Sequence, residues 1–243
     1  MNYSKSAKHS LPAGKTVNNQ SKTDQDTILS SQELAYIKPI LTFLYHVWWR
    51  VQATGFEHLP DNGPAFIVGN TSGYIPWPAL MLIYSLMINK DKQRAVHVLT
   101  DMDHIEDERI SAFLRALNFV PWSYDNAKQL IEQGELIAIF PEDSSVIGKT
   151  VAMRNRLKRF DWTKFLPAIE ANIPIFPLAT LGIDEAGATV SVPWKMKLMP
   201  AVFCQSPKDR EAIQEAAKKT ALRAEGEIQA EINRLLRARS RLL

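Results

Sequence analysis

The sequence predicts an α/β sandwich in which a largely parallel sheet is flanked by helices. Short apolar runs of strand length alternate along the chain with longer segments of helical periodicity, and this alternation is typical of parallel sheets with helical crossovers. The chain has 243 residues, enough to bury one sizeable core. Its composition, 46% apolar and 23% charged, is that of an ordinary globular domain.

Residues 1–29 are predicted to be a disordered tail. They are rich in Ser, Lys, Asn, Gln and Thr and carry too few large apolar groups to offset the entropy of ordering. This stretch lacks the apolar core of a signal peptide. The single cysteine, Cys204, excludes an internal disulfide and fits a reducing compartment.

A helix is predicted to begin at Ser30, because Ser30 and Glu33 fit a capping box. Pro39 is expected to kink this helix. Its apolar stretch ends in Trp48 and Trp49 and is far shorter than the roughly 20 residues that cross a bilayer. Two interpretations stay open and are compatible: a helix at the membrane interface, where indole rings prefer to lie, and a core helix packed on the sheet.

The rest of the chain supplies the predicted sheet and its covering helices. Buried strands are predicted at 65–69, 94–100, 119–121, 136–140 and 173–179. Helices are predicted at 79–88, 106–117, 126–133, 165–172 and 207–243, with Gly134 as a C-terminal cap. We expect residues 30–206 to form the domain and its interfacial helix, and 207–243 an amphipathic helix packed on it.

The last predicted helix is rich in arginine near its end. Arg234, Arg237, Arg239 and Arg241 lie among leucines. Arginine at this place suits the dipole at a helix C-terminus and also suits phospholipid headgroups. Both interpretations stay open.

Three polar or proline-containing blocks coincide with predicted strands. Gly69-Asn70-Thr71-Ser72-Gly73-Tyr74-Ile75-Pro76-Trp77-Pro78 begins where the first strand ends, and active sites of open α/β sheets lie at such strand ends. Phe140-Pro141-Glu142-Asp143 ends a later strand, and Gly148-Lys149-Thr150 and a basic run follow it. The basic run ends at Phe160 and carries Arg154, Arg156, Lys158 and Arg159. Ile173-Pro174-Ile175-Phe176-Pro177-Leu178 is itself a predicted strand.

In this order and spacing, the blocks resemble those of glycerophospholipid acyltransferases of the lysophosphatidic acid acyltransferase type. The first is similar to that family's Asn-His turn with a later Asp, the second to its Phe-Pro-Glu-Gly turn, and the third to its closing Pro-x-x-Pro strand. The resemblance covers roughly residues 35–205. It implies an acyltransferase-like sandwich that moves a fatty acyl group from acyl-CoA or acyl-carrier protein to a glycerol-phosphate lysolipid, with no cofactor. It further implies a cytoplasmic protein, peripheral on the inner face of a membrane.

The same resemblance implies that the catalytic positions are substituted. In the family the His is a general base for the acceptor hydroxyl, and the Asp orients its imidazole. Here Thr71 stands at the His position, and Pro78, or Pro76 at a shorter spacing, stands at the Asp position, while Asn70 is kept. A threonine hydroxyl is no general base near pH 7, and proline offers no side-chain acceptor. We therefore expect weak or absent acyl transfer.

The resemblance also implies an anion site for the acceptor's phosphate. Asp143 replaces the family's Gly after Glu142, which adds a negative charge and a Cβ. Not all cations of the basic run can point inward, and Arg156 and Arg159 are expected on one helical face. The predicted substrate-binding residues are Glu142, Asp143, Lys149, Arg154, Arg156 and Arg159.

Three functions therefore stay open: a weak or inactive family member that keeps lipid and phosphate binding, an active acyltransferase with a rebuilt site around His97, and a non-catalytic scaffold at the membrane. If its strand continues, His97, Leu99, Asp101 and Asp103 alternate onto one face. Their spacing matches no metal signature, so no metal is predicted. The small net charge of +3 and the lack of a motif argue against nucleic-acid binding.

Overall fold

The computed structural model describes residues 31–71, 76–101, 107–142, 155–182, 193–202 and 209–239. Its strands are β1 (Gln52–Thr54), β2 (Ala65–Gly69), β3 (Val96–Thr100), β4 (Phe119–Pro121), β5 (Leu136–Ile139), β6 (Ile175–Leu181) and β7 (Lys195–Leu198). They form one seven-stranded sheet in the order β1-β7-β6-β2-β5-β3-β4. Every neighbouring pair is parallel except β6 and β7. The predicted α/β fold with a largely parallel sheet is confirmed.

Helices cover both faces of this sheet. They are α1 (Ser31–Phe43), α2 (Trp77–Ile88), α3 (Glu108–Ala116), α4 (Tyr124–Glu132), α5 (Leu166–Glu170) and α6 (Arg210–Arg239). A π-helical segment, Leu44–Trp48, extends α1, and short 3₁₀ turns occupy Phe56–His58 and Trp162–Phe165. The core around α1, α2 and α3 lies on one face of the sheet, and the core around α4, α5 and α6 lies on the other.

The central strand β2 shows why the sequence reads as a continuous apolar run. Its residues are all buried; Ala65 and Ile67 join the core of the α1–α3 layer, whereas Phe66 and Val68 join that of the α4–α6 layer. A strand buried on both faces needs no polar alternation. Because β2 pairs with β5 on one side and with β6 on the other, its carboxyl end lies in the middle of the sheet.

Local signals set both ends of α4, of which the C-terminal cap at Gly134 was predicted. The side chain of Ser123 caps α4 by accepting a hydrogen bond from the backbone N–H of Asn126 at 3.0 Å. After α4, Gly134 adopts a positive φ of 78°, a left-handed conformation that favours glycine. The first helix continues through Pro39 to Phe43 and then widens into the π-helical segment.

The first helix has two apolar sides. Leu41, Tyr45 and Trp49 are buried in the core. On the other side, Ile40 is 61% exposed, Phe43 49%, Val47 58% and Trp48 39%. We call these four residues the outer apolar face. Within the described residues, no helix is both long and apolar enough to cross a membrane.

Candidate active site

The turn after β2 is fixed by a pairing between Asn70 and Thr180. The Asn70 carboxamide donates to the backbone carbonyl of Thr180 at 3.0 Å and accepts from its backbone N–H at 2.7 Å. The Thr180 hydroxyl donates to the same carboxamide oxygen at 3.0 Å. Because a carboxamide carries both a donor and an acceptor, it pairs with backbone as a peptide group does. Asn70 thus extends the contact between β2 and β6 beyond the end of β2.

The next residue, Thr71, is bound by Glu142, which follows β5, the other neighbour of β2. Its backbone N–H donates to Oε1 of Glu142 at 2.8 Å. The other carboxylate oxygen of Glu142 accepts from the backbone N–H of Lys158 at 3.1 Å. Glu142 is only 5% exposed and forms an antiparallel bridge with Phe160. The buried carboxylate therefore ties the turn that carries Thr71 to the segment that carries Lys158.

The close approach of β2 and β5 also depends on glycine. A Cβ on Gly69 would lie 2.6 Å from Cε1 of Phe140, which is too close for two carbon atoms. The ring of Phe140 therefore fills the space beside the bare Cα of Gly69.

The two candidate positions for the orienting acid lie at the start of α2. Pro76 occupies the N-cap and makes no side-chain cap hydrogen bond, and Pro78 lies in the first turn and is buried. Trp77 between them contacts Trp49 edge to face, with ring centroids 4.7 Å apart. Trp49 in turn stacks on Trp194 at 4.7 Å. The start of α2 is therefore packed against an aromatic cluster.

We call residues 155–160, the described part of the basic run, the strap. It is not helical: Asn155 has a positive φ of 63°, and the segment ends in the bridge between Phe160 and Glu142. The prediction that Arg156 and Arg159 share a helical face is therefore wrong. Both are exposed, whereas Lys158 is half-buried.

Two side chains of α6 also bind the strap backbone. Oε1 of Gln229 accepts from the backbone N–H of Leu157 at 2.9 Å, and its Nε2 donates to the carbonyl of Asn155 at 2.9 Å. Glu225 accepts from the backbone N–H of Phe160 at 2.7 Å. The strap backbone is thus bound by side chains from two separate parts of the chain.

Three predicted substrate-binding residues, Asp143, Lys149 and Arg154, lie outside the described residues, as do Asp103 and Cys204. Among the predicted site residues that are described, the structure brings Asn70, Thr71 and Glu142 together at the carboxyl ends of β2 and β5.

His97 lies near the amino ends of the parallel strands, whereas Glu142 follows the carboxyl end of β5. His97 is the second residue of β3 and pairs in register with Ile137 of β5, and its Nδ1 lies 3.7 Å from Oε2 of Glu135, which precedes β5. At about 3.3 Å per residue, the length of β5 separates this pair from Glu142 by on the order of 10 Å. Burial lowers the pKa of His97, and the nearby Glu135 raises it by a smaller amount.

The expected alternation of His97 with acids does not extend to Asp101. The strand β3 ends at Thr100, and Asp101 instead pairs with Lys164, whose Nζ lies 2.9 Å from its Oδ2. Lys164 also lies 5.6 Å from the ring centroid of Trp122. Among the described residues, no group of three His, Cys, Asp or Glu side chains is placed to hold a metal ion.

Sequence reasoning missed Thr180, Lys164, Glu225 and Gln229. Thr180 carries a weak signal, because a polar residue inside a buried strand needs a hydrogen-bond partner. The other three are polar residues in helical or 3₁₀ segments. Nothing local distinguishes them from solvated side chains.

Comparison with known proteins agrees with this geometry. Residues 50–181 match the acyltransferase family, which is more than half of the 243-residue chain. An uncharacterised protein of Mycobacterium tuberculosis is 30% identical over 152 residues, covering 62% of this chain and 42% of that protein. An uncharacterised protein of Mycobacterium leprae is 31% identical over 152 residues, covering 62% of this chain and 41% of that protein. The match thus spans less than half the length of these curated relatives.

A solved structure shares the fold. The 1-acyl-sn-glycerophosphate (LPA) acyltransferase PlsC from Thermotoga maritima matches with a TM-score of 0.54 at 15% identity, covering 82% of this chain and 80% of that chain. Identity this low shows a common fold alone. The family match contains the turn of Asn70 and Thr71 and also Glu142. This chain belongs to the acyltransferase family.

Proposed function

We propose that this chain is a lysolipid-binding member of the acyltransferase family with weak or no acyl transfer by a His–Asp mechanism. The observation that carries the proposal is Thr71, which follows the buried Asn70 at the carboxyl end of the central strand. Its hydroxyl does not take a proton from an acceptor near pH 7. Neither Pro76 nor Pro78 offers a side-chain acceptor to orient a base.

The expected ligands are an acyl donor, acyl-CoA or acyl-carrier protein, and a lysophospholipid acceptor. The named function of the Thermotoga protein supports the acceptor class by analogy of fold. The strap supports it by charge, because it carries Arg156, Lys158 and Arg159, and its backbone is bound to the buried Glu142 at Lys158. Cations that stay beside an otherwise intact turn favour retained anion binding over a closed scaffold.

Peripheral membrane binding is part of this proposal. The outer apolar face exposes four large apolar side chains on one side of α1 and its π-helical extension, next to the exposed Lys38 and Arg50. An apolar stripe that includes a tryptophan and is bordered by cations suits the interface of an anionic bilayer.

An acyl-transfer assay tests the proposal directly. The natural protein, Thr71→His with Pro78→Asp, and Thr71→His with Pro76→Asp are compared with acyl-CoA and acyl-carrier-protein donors across several lysolipids. Loss of a general base costs roughly 10²- to 10⁴-fold, so we expect near-background turnover from the natural protein and a gain in one double variant. The Pro76 variant places its Asp at a helix N-cap, a position that favours this residue, whereas the Pro78 variant buries the carboxylate.

Two results would favour other functions. If the natural protein turns over rapidly and His97→Ala abolishes turnover, a rebuilt site around His97 is responsible. If mass spectrometry finds no co-purifying lipid and the protein binds no lysolipid, the chain is a scaffold. The first result would contradict the proposal that the protein lacks a general base. The second would contradict the proposal that it binds lysolipid.

A further inference from the structure

The polar contacts of α6 with the strap are organised around two residues one helical turn apart, Gln229 and Glu225. Gln229 binds the strap at both Asn155 and Leu157, and Glu225 binds it at Phe160. Both side chains are half-buried. Polar side chains on a long surface helix more often face solvent, so their use in holding a neighbouring backbone segment needs a physical account.

The carboxamide of Gln229 acts as a substitute for a neighbouring strand. It donates to the carbonyl of residue 155 and accepts from the N–H of residue 157. A strand in a parallel pair binds its partner in this way, at the carbonyl of one residue and the N–H two residues later. A carboxylate has no donor for the carbonyl of Asn155, so this pairing requires glutamine and excludes glutamate.

These contacts continue towards the candidate active site. Between the two α6 contacts, the N–H of Lys158 donates to Glu142, and the other oxygen of Glu142 accepts from Thr71. The order in space is therefore α6, strap, Glu142 and the turn of Thr71. The strap also carries Arg156 and Arg159, the described arginines of the predicted anion site.

We propose that Gln229 and Glu225 of α6 are positioning residues for this anion site. They hold the strap backbone so that its cations and Glu142 keep a fixed arrangement beside Thr71, ready for a phosphate-bearing acceptor. The proposal rests on the proposed function, since it takes lysolipid phosphate as the ligand. It assigns the C-terminal helix a part in substrate binding besides covering the sheet.

Hydrogen exchange in the full-length protein tests the contact. Gln229→Met keeps side-chain length and removes both bonds to the strap, so the amide of Leu157 should exchange roughly tenfold faster. Gln229→Glu keeps an acceptor for the N–H of Leu157 and loses only the donor to Asn155, so the exchange of this amide should rise less than in Gln229→Met. Glu225→Met removes the acceptor of the N–H of Phe160, so that amide should exchange faster. Gln229 also donates to Asn233 at 3.2 Å, so Asn233→Ala is the control for that contact. Unchanged exchange at Leu157 in Gln229→Met would overturn the proposal.

Affinity for lysophosphatidic acid, measured by calorimetry, tests the consequence. We expect Gln229→Met and Glu225→Met to bind roughly fivefold to tenfold more weakly, and the control Asn233→Ala to bind like the wild type. Weaker binding by Gln229→Glu alone would be a charge effect and would count against positioning. If the wild type binds and every variant binds equally, positioning fails while the proposed function stands. If the wild type binds no lysophosphatidic acid, the proposed function itself fails and the anion site with it, whatever the exchange data show.

Discussion

The carboxylate of Glu142 accepts the backbone N–H of Thr71 at 2.8 Å, although the two residues are 71 positions apart in the chain. One residue follows β2 and the other follows β5, and these strands are parallel neighbours. The contact therefore joins two turns at the carboxyl ends of two neighbouring strands. In this structure Glu142 holds its own chain together at the place where the resemblance implies substrate binding.

Replacing Glu142 should reveal this structural role. Glu142→Gln keeps the shape but leaves a single acceptor oxygen and adds a donor, so the N–H of either Thr71 or Lys158 loses its partner. An unsatisfied buried N–H costs about 1–3 kcal/mol, which lowers the melting temperature by roughly 2–4 °C per kcal/mol in a chain of this size. Calorimetric unfolding measures it. Glu132→Gln, which changes an exposed carboxylate, is the control, and equal melting temperatures for the two variants would contradict the prediction.

The pairing of Asn70 with Thr180 gives a second stability prediction. Asn70→Asp keeps the acceptor but loses the donor, so a carboxylate oxygen faces the carbonyl of Thr180 in a buried place. We expect a loss of about 2 kcal/mol or more in the free energy of unfolding. Thr180→Val removes only the hydroxyl and should cost about 1 kcal/mol. Urea titration of both variants checks this order, and the reverse order would show that the backbone pairing matters less than the hydroxyl.

Membrane binding should depend on the outer apolar face. Phe43→Ser with Val47→Ser removes two of its exposed side chains, and each is worth about 1.5–3 kcal/mol when fully buried. We expect vesicle-bound protein to fall by at least roughly tenfold in a sedimentation assay with anionic vesicles. Leu222→Ser is the control, since Leu222 is 50% exposed on α6. An equal loss in the control, or no loss in the double variant, would place the binding surface elsewhere.

Stability should also depend on the protonation of His97. Burial holds its pKa below the ordinary value, so the folded state binds a proton less readily than the unfolded chain, whose histidine pKa is about 6.5. The contribution of neutral His97 to the free energy of unfolding is therefore complete above about pH 6.5, and it decreases as the pH drops below that value. Urea midpoints at pH 5 and pH 7.5 measure this difference. In His97→Phe the difference should shrink, and an unchanged difference would assign the pH dependence to other groups.

The sequence predicted the central strands well because β2, β5 and β6 are buried on both faces and therefore appear as short apolar runs. The strands β1 and β7 lack this signal. β1 is Gln52-Ala53-Thr54 and is largely exposed, and β7 is half-buried with lysines alternating between apolar residues. The partner of β1 is β7, which lies far along the chain, and β7 also pairs with β6. The antiparallel placement of β7 was likewise not predicted.

The candidate site shows the same division between local and distant causes. Asn70, Thr71 and Glu142 were predicted because the turns that carry them resemble two motifs of the family, and each turn follows an apolar strand, where sites of open sheets lie. Within the strap, Arg156 and Arg159 were expected to lie on one helical face. The conformation of the strap is instead set by contacts with Glu142 and α6, and no local pattern encodes contacts with such distant residues.

The pairing of β1 with β7 has a consequence for how the protein is made. Gln52 pairs with Lys195, and the backbone of Trp49 accepts a hydrogen bond from that of Trp194. The segment that leads from the first helix into the sheet therefore leaves the ribosome long before its partner strand exists. Closing so long a loop is entropically costly and slow. Until Leu198 has been added, β1 lacks its partner strand and Trp49 lacks the indole of Trp194 on which it stacks, and unpaired strands and exposed apolar groups favour aggregation.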